Sequence, residues 1–196
     1  MNKLALLGAL VLATPLAATA APETYVLDPY HTYPSFEVDH LGVSTMRGQF
    51  TKSSGSFVLD TAAKTGSLEL KVDTASITTG DNDKGSRPRA RDEHLRSADF
   101  FNVAEFPRMT YKSTSVKFDG DSVAEVQGQL TLLGATKALT LKVNRWVCKA
   151  NPRSKKQMCG GNASGSFKRS DFGMKYGVPA IGDEITLFVE FEGYKQ

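Results

Sequence analysis

The sequence predicts an all-β fold: an antiparallel meander of eight or more strands with one short helix between them. Three observations predict it. Period-two alternation of apolar and polar residues recurs through most of the chain, short turn signals separate the runs, and only one segment has helix-forming character. Parallel βαβ units would need a helix in every crossover, and the sequence offers no such series.

In chain order, the first clear run is Phe36, Val38 and His40 alternating with Glu37 and Asp39, and a weaker one covers 46–50 and 55–59. Leu68, Leu70 and Val72 then alternate with Glu69, Lys71 and Asp73. Each such run is a strand with one wet face. Weaker runs cover 108–113, 115–118, 123–133 and 165–169. Leu139, Leu141 and Val143 oppose Thr140, Lys142 and Asn144, and Ile185, Leu187, Val189 and Phe191 oppose Thr186, Glu190 and Glu192. The expected turns are Lys64-Thr65-Gly66, Asp119-Gly120-Asp121, Gly134-Ala135-Thr136-Lys137 and Gly160-Gly161-Asn162, whose residue types suit tight reversals.

Alternation stops between Thr79 and Phe101, where charge becomes dense. Ser86 is the expected N-cap, with Pro88 in the first turn and a helix over Arg89–Arg96. Only Ala90, Leu95 and Ala98 give that helix an apolar side, which makes it a lid or flap rather than a core element.

Residues 1–20 have the layout of a secretory signal: Lys3, an apolar run Leu4–Leu12, and Ala18-Thr19-Ala20 as a small-residue cleavage site. The run is shorter than the roughly 18–20 residues that span a bilayer. The mature chain is expected to begin at Ala21 and to form one domain, residues 21–196, outside the inner membrane. The formal charge of +3 is mixed along the chain, so there is no basic field of the kind that binds nucleic acid.

Cys148 and Cys159 are the chain's two cysteines. They flank a polar stretch containing Asn151-Pro152, which reads as a turn between strands, and export favours a disulfide that clips it. Closing so short a loop contributes on the order of 2–3 kcal/mol. A redox or metal pair would need C-x-x-C spacing or nearby histidines.

The search for catalytic groups returns little. His31, His40 and His94 form no metal-ligating spacing, and there is no G-x-S-x-G elbow, G-x-G-x-x-G or P-loop. The expectation is a protein without catalytic residues, metal or cofactor. Two basic groups stand out. Arg87, Arg89, Arg91, His94 and Arg96 lie on the helix or just before it, where a planar guanidinium suits an anionic head group. Lys149, Arg153, Lys155 and Lys156 sit at the cysteine-flanked turn and would suit transient contact with an anionic membrane.

Amphipathic strands without covering helices bury their apolar faces as a sandwich or as a barrel. The interior of an eight-stranded barrel is either filled by side chains or holds one small ligand, and the residues alone leave that open.

Tyr25-Val-Leu-Asp28, His31-Thr32, Phe36-Glu-Val-Asp-His40-Leu-Gly42 and Met46-Arg-Gly48-Gln-Phe50 resemble the opening of the YceI-like family of bacterial lipid-binding proteins. The likeness continues through Arg91–Phe101, Phe106–Ser113, Gly128–Lys137, Lys168–Gly173 and Asp183–Thr186, in order along the whole mature chain. Thr32 stands where the family often has Ser, and Ala135 where a branched residue is common.

The resemblance implies an eight-stranded, lipocalin-like antiparallel barrel enclosing a tunnel for a polyisoprenoid or similar long-chain amphiphile such as a quinone, a polyprenyl lipid or a fatty-acid derivative. The inward faces then supply the candidate wall: Phe36, Val38, His40, Phe50, Leu70, Met109, Tyr111, Leu130, Leu141, Leu187 and Phe191, with Leu95 from the helix and Phe101 beyond it. Arg91, His94 and Arg96 are the head-group candidates. Two alternatives stay open: an enzyme acting on such a lipid, and a filled barrel serving as an envelope interaction module. The sequence leaves the oligomeric state undefined, a dimer included.

Overall fold

The computed structural model describes residues 21–196, so the expected signal segment lies outside the described residues. Eleven strands run in chain order: β1 (Glu23–Leu27), β2 (Tyr33–His40), β3 (Ser44–Phe50), β4 (Ser53–Asp60), β5 (Thr65–Asp73), β6 (Ile77–Thr78), β7 (Arg108–Asp119), β8 (Ser122–Leu132), β9 (Ala135–Ala150), β10 (Gln157–Lys168) and β11 (Ile181–Lys195). One α-helix, α1 (Arg91–Arg96), stands between β6 and β7.

Three pairs of these segments are long strands interrupted by a bend. β1 and β2 both pair with β11, through Tyr25↔Lys195 and Tyr33↔Glu190. β3 and β4 run against β2 and β1, and β6 and β5 against β3 and β4. Eleven segments less three bends give eight antiparallel strands, and the pairing of β11 with β1 and β2 closes them into a barrel. Closure removes the free edges that an open sheet would expose.

The two ends of the barrel differ. At one, the base, the turns are short: 61–64, 120–121 and 151–156. At the other, the rim, lie the β2–β3 hairpin, the long 79–107 connection carrying α1, and the 169–180 connection, whose first turn is a 3₁₀ helix over Arg169–Phe172. The base interior is filled with aromatic rings. Tyr25 stacks on Phe57 at 4.9 Å, and Phe57 meets Trp146 and Phe191 edge-on at 6.0 and 6.3 Å. Gly193 is needed there, because a Cβ on it would lie 2.5 Å from the Phe57 ring.

The strands follow the alternation, and several boundaries move. β1, which alternation alone does not mark, completes the closure. The expected turns at Lys64-Thr65-Gly66 and Gly134–Lys137 are shorter, since Thr65 and Ala135 already belong to strands. Gly160-Gly161-Asn162 is no turn but the interior of β10, where a Cβ on Gly161 would lie 1.9 Å from the Arg145 carbonyl oxygen. The glycines there permit close backbone approach, with a register shift beside them. The helix is shorter than expected and starts at Arg91 with Ala90 as its N-cap residue, so Ser86 does not cap it. Its hold is tertiary: buried Asp92 accepts hydrogen bonds from the Thr78 hydroxyl, the Thr79 amide and the Thr79 hydroxyl at 2.9, 2.8 and 2.6 Å.

The cysteines form the expected disulfide, joining directly opposed residues of β9 and β10. Asn151 organises the turn beyond it, accepting from the Arg153 and Ser154 amides and donating to the Tyr194 hydroxyl.

Candidate ligand-binding cavity

Above the aromatic base, the rim half of the barrel is hollow. The cavity has a volume of about 370 Å³, within the range of small-molecule sites. Alternation aims the wall side chains inward: Phe36, Val38 and His40 from β2, Phe50 from β3, Leu70 from β5, and Met109 and Tyr111 from β7. Leu130, Leu141 and Leu187 come from β8, β9 and β11, and Leu95 and Phe101 close the space from the 79–107 connection. Phe50 is wedged between Phe36 at 6.2 Å and Phe101 at 5.4 Å. The Tyr111 hydroxyl lies 2.9 and 3.0 Å from the Val126 and Leu139 carbonyls, and burial raises its pKa far above the ordinary tyrosine value, so it stays a neutral donor.

Phe191 departs from the expected wall. It shares the inward face but lies low in the barrel, packed 6.0 Å from Trp146 in the base cluster. Val72, Leu139, Met174, Ile185 and Val189 also line the cavity.

The exposed lining residues Arg47, Arg87 and Tyr176 lie at the rim, which places the mouth there. Arg91 and His94 line it with Arg87 and Arg89, whereas Arg96 does not. The Arg96 guanidinium instead donates to the Ala75 and Ile77 carbonyls at 2.9 and 2.7 Å, fastening α1 to the barrel wall. The other arginines are ion-paired. Arg87 grips Asp81 with both terminal nitrogens, at 2.6 and 2.7 Å, and Arg91 approaches the same carboxylate at 3.3 Å. Arg89 and His94 both meet Asp99 at 2.8 Å. The hydrogen bond from Arg87 holds the Asp81 pKa below the usual carboxylate range, and those from Arg89 and then His94 do the same for Asp99. His94 also stands edge-on between Phe100 and Tyr176, each 4.9 Å away.

One wall residue escaped sequence reading. Arg169 is 2 % exposed and donates to the Gly182, Met174 and Ile181 carbonyls at 2.8, 3.0 and 2.9 Å, tying the 173–181 loop to the rim. Burial lowers its pKa, opposed by nearby Asp183. The available signal was its place on the same alternating face as Phe167, where an arginine is out of character.

Outside the barrel, the fold brings Asp28, His31 and Glu192 together, with ligand atoms within 4.8 Å of one another, a grouping no local spacing announced. His31 is mostly exposed and bonds to Asp28 at 2.8 Å, which raises the histidine pKa. No helix among the described residues is long and apolar enough to cross a membrane.

The sequence profile of the YceI-like domain matches residues 25–193. The chain belongs to the YceI-like family. Protein YceI of Salmonella agona is 33% identical over 195 residues, covering 100% of this chain and 98% of that relative. The crystal structure of a Campylobacter jejuni YCEI protein superposes with a TM-score of 0.65 at 26% identity, over 81% of this chain and 90% of that one. A Saccharophagus degradans protein, described as a polyisoprenoid binding domain implicated in plant cell wall breakdown, shares the fold with a TM-score of 0.60. It is 18% identical, over 88% of this chain and 98% of its own.

Proposed function

We propose that this YceI-like protein is a periplasmic carrier that holds a polyisoprenoid or similar long-chain amphiphile with its tail in the barrel and its head at the rim. The observation that carries the reading is the division of the barrel: a base filled by Tyr25, Phe57, Trp146 and Phe191 beneath an apolar cavity whose exposed lining residues lie at the rim. The description of the Saccharophagus degradans relative as a polyisoprenoid binding domain supports the ligand class. The disulfide and the signal-like segment 1–20 support export.

Energetics favour exchange over storage. Moving a tail from water releases about 0.8 kcal/mol per CH₂, so a few tens of carbons would exceed the practical ceiling of about 18–21 kcal/mol. The tail's alternative home is the bilayer, which is already apolar, so transfer runs near balance without an energy source. The polar head sets the preference, and Arg87, Arg89, Arg91 and His94 stand where it would lie.

The test is to fill the cavity. Leu187→Trp adds an indole to the wall. In titrations of delipidated protein with a fluorescent prenyl amphiphile, it is expected to weaken binding at least tenfold while the circular dichroism of the barrel is retained. Unchanged affinity in a folded variant would refute the cavity as the site.

A further inference from the structure

Four large apolar side chains are exposed at the rim: Leu41 at 59%, Val43 at 85%, Tyr176 at 47% and Val178 at 36%. They sit on two loops that touch, since the Leu41 amide donates to the Ala180 carbonyl at 2.8 Å. The loops flank the cavity mouth, to which Tyr176 itself contributes.

Leu41 is out of place by ordinary turn chemistry. The Val43 amide closes a turn onto the His40 carbonyl, and its two central residues, Leu41 and Gly42, have φ of 62° and 67°. Such turns select Asn-Gly or Gly-Gly, because a branched side chain is disfavoured at positive φ. Here a leucine occupies the strained position and points into solvent. The β8–β9 turn repeats the pattern with Leu133 and Gly134, but there the leucine packs against the core, whereas Leu41 has no such cover.

We infer that this rim is a membrane-docking face, with Leu41, Val43, Tyr176 and Val178 entering the interfacial layer of a lipid bilayer so that the cavity opens onto it. The inference rests on the carrier reading for its purpose, but not for its test. A bilayer suits the patch better than a second copy of the chain does: the four side chains flank the cavity mouth, which a second copy seated there would cover and a bilayer would supply. Apolar contact rather than charge drives the docking. The rim arginines are ion-paired locally, Arg47 with Glu37, Arg87 and Arg91 with the one carboxylate of Asp81, and Arg89 with Asp99, so little free charge faces outward. The basic turn Lys149, Arg153, Lys155 and Lys156 lies at the base, so a molecule resting on it would turn its mouth away from the membrane.

The chain from Ala21 onward contains the whole closed barrel and is the species to test. Titration with phosphatidylcholine vesicles is expected to show binding that persists in 1 M salt. Leu41→Asn/Val43→Ser should reduce it about 100-fold, from the lost apolar contact. Neither residue lines the cavity, and asparagine relieves the turn strain, so the melting temperature should not fall and lipid content by native mass spectrometry should not change. Trp146, the chain's one tryptophan, lies roughly 35 Å along β9 from the rim and reports on orientation. Brominated lipids should leave it unquenched and should quench the added indole of Val43→Trp. Equal vesicle binding by the double variant would overturn the inference. So would salt-sensitive binding confined to phosphatidylglycerol vesicles with Trp146 quenched, which assigns docking to the base. A rim-dependent dimer with no vesicle binding would assign the patch to a second copy. A protein that docks by its rim yet carries no lipid would refute the carrier reading alone.

Discussion

At the residue scale, rim geometry depends on a few buried or paired polar groups. Arg169 donates to three backbone carbonyls, those of Met174, Ile181 and Gly182, and so pins the rim loop. Arg169→Leu leaves them buried and is expected to cost about 3 kcal/mol, lowering the melting temperature by about 10 °C. A shift under 2 °C would show that the loop holds without it. Asp99 has a pKa held down by Arg89 and His94, so its pairing stabilises the fold above the ordinary carboxylate range and is lost as pH falls through the depressed value. The melting-temperature difference between wild type and Asp99→Asn should therefore be present at pH 6 and close below about pH 4. A difference constant over that range would remove the ion pair from the account. Sequence reading found Arg91 and His94 at the mouth but also named Arg96, because composition marks a basic segment and not which way each side chain turns. Arg96 is fixed by strand carbonyls that only the folded wall presents.

At the element scale, the wall was legible because alternation decides which face of a strand points inward. It does not decide height along the barrel. That is why Phe36 and Leu187 meet the cavity while Phe191, on the same face as Leu187, meets Phe57 and Trp146 in the base. The start of the helix was misread for a related reason: Ser86 and Pro88 are good local start signals, but Asp92 anchors α1 through Thr78 and Thr79, a long-range contact that overrides them. The cysteine pair was legible from spacing, and its effect belongs to the hairpin. Joining residues 11 apart in sequence, the bond should contribute about 3 kcal/mol. Cys148→Ser/Cys159→Ser is expected to lose that stability in urea unfolding while binding the prenyl amphiphile as wild type does, since the bond is at the base and the cavity at the rim. Lost binding in a folded double variant would contradict the separation of base from rim.

For the whole molecule, the question that sequence left open, whether the barrel is filled or hollow, resolves by halves. Tyr25, Phe57, Trp146 and Phe191 fill the base by packing on one another, and above them aliphatic and aromatic side chains line an open space. The exposed lining residues lie at the rim, so the proposed carrier would exchange its lipid there. The disulfide and the aromatic cluster hold the base, and Arg169 and the Asp99 pairs hold the rim around the cavity. The measurement that tests this most directly is native mass spectrometry of the protein, expressed with its own N-terminal segment and recovered from the cell envelope without detergent, followed by lipid extraction. The account predicts one long-chain amphiphile per chain, absent from Leu187→Trp. A clean apo mass that persists after incubation with membranes would contradict it.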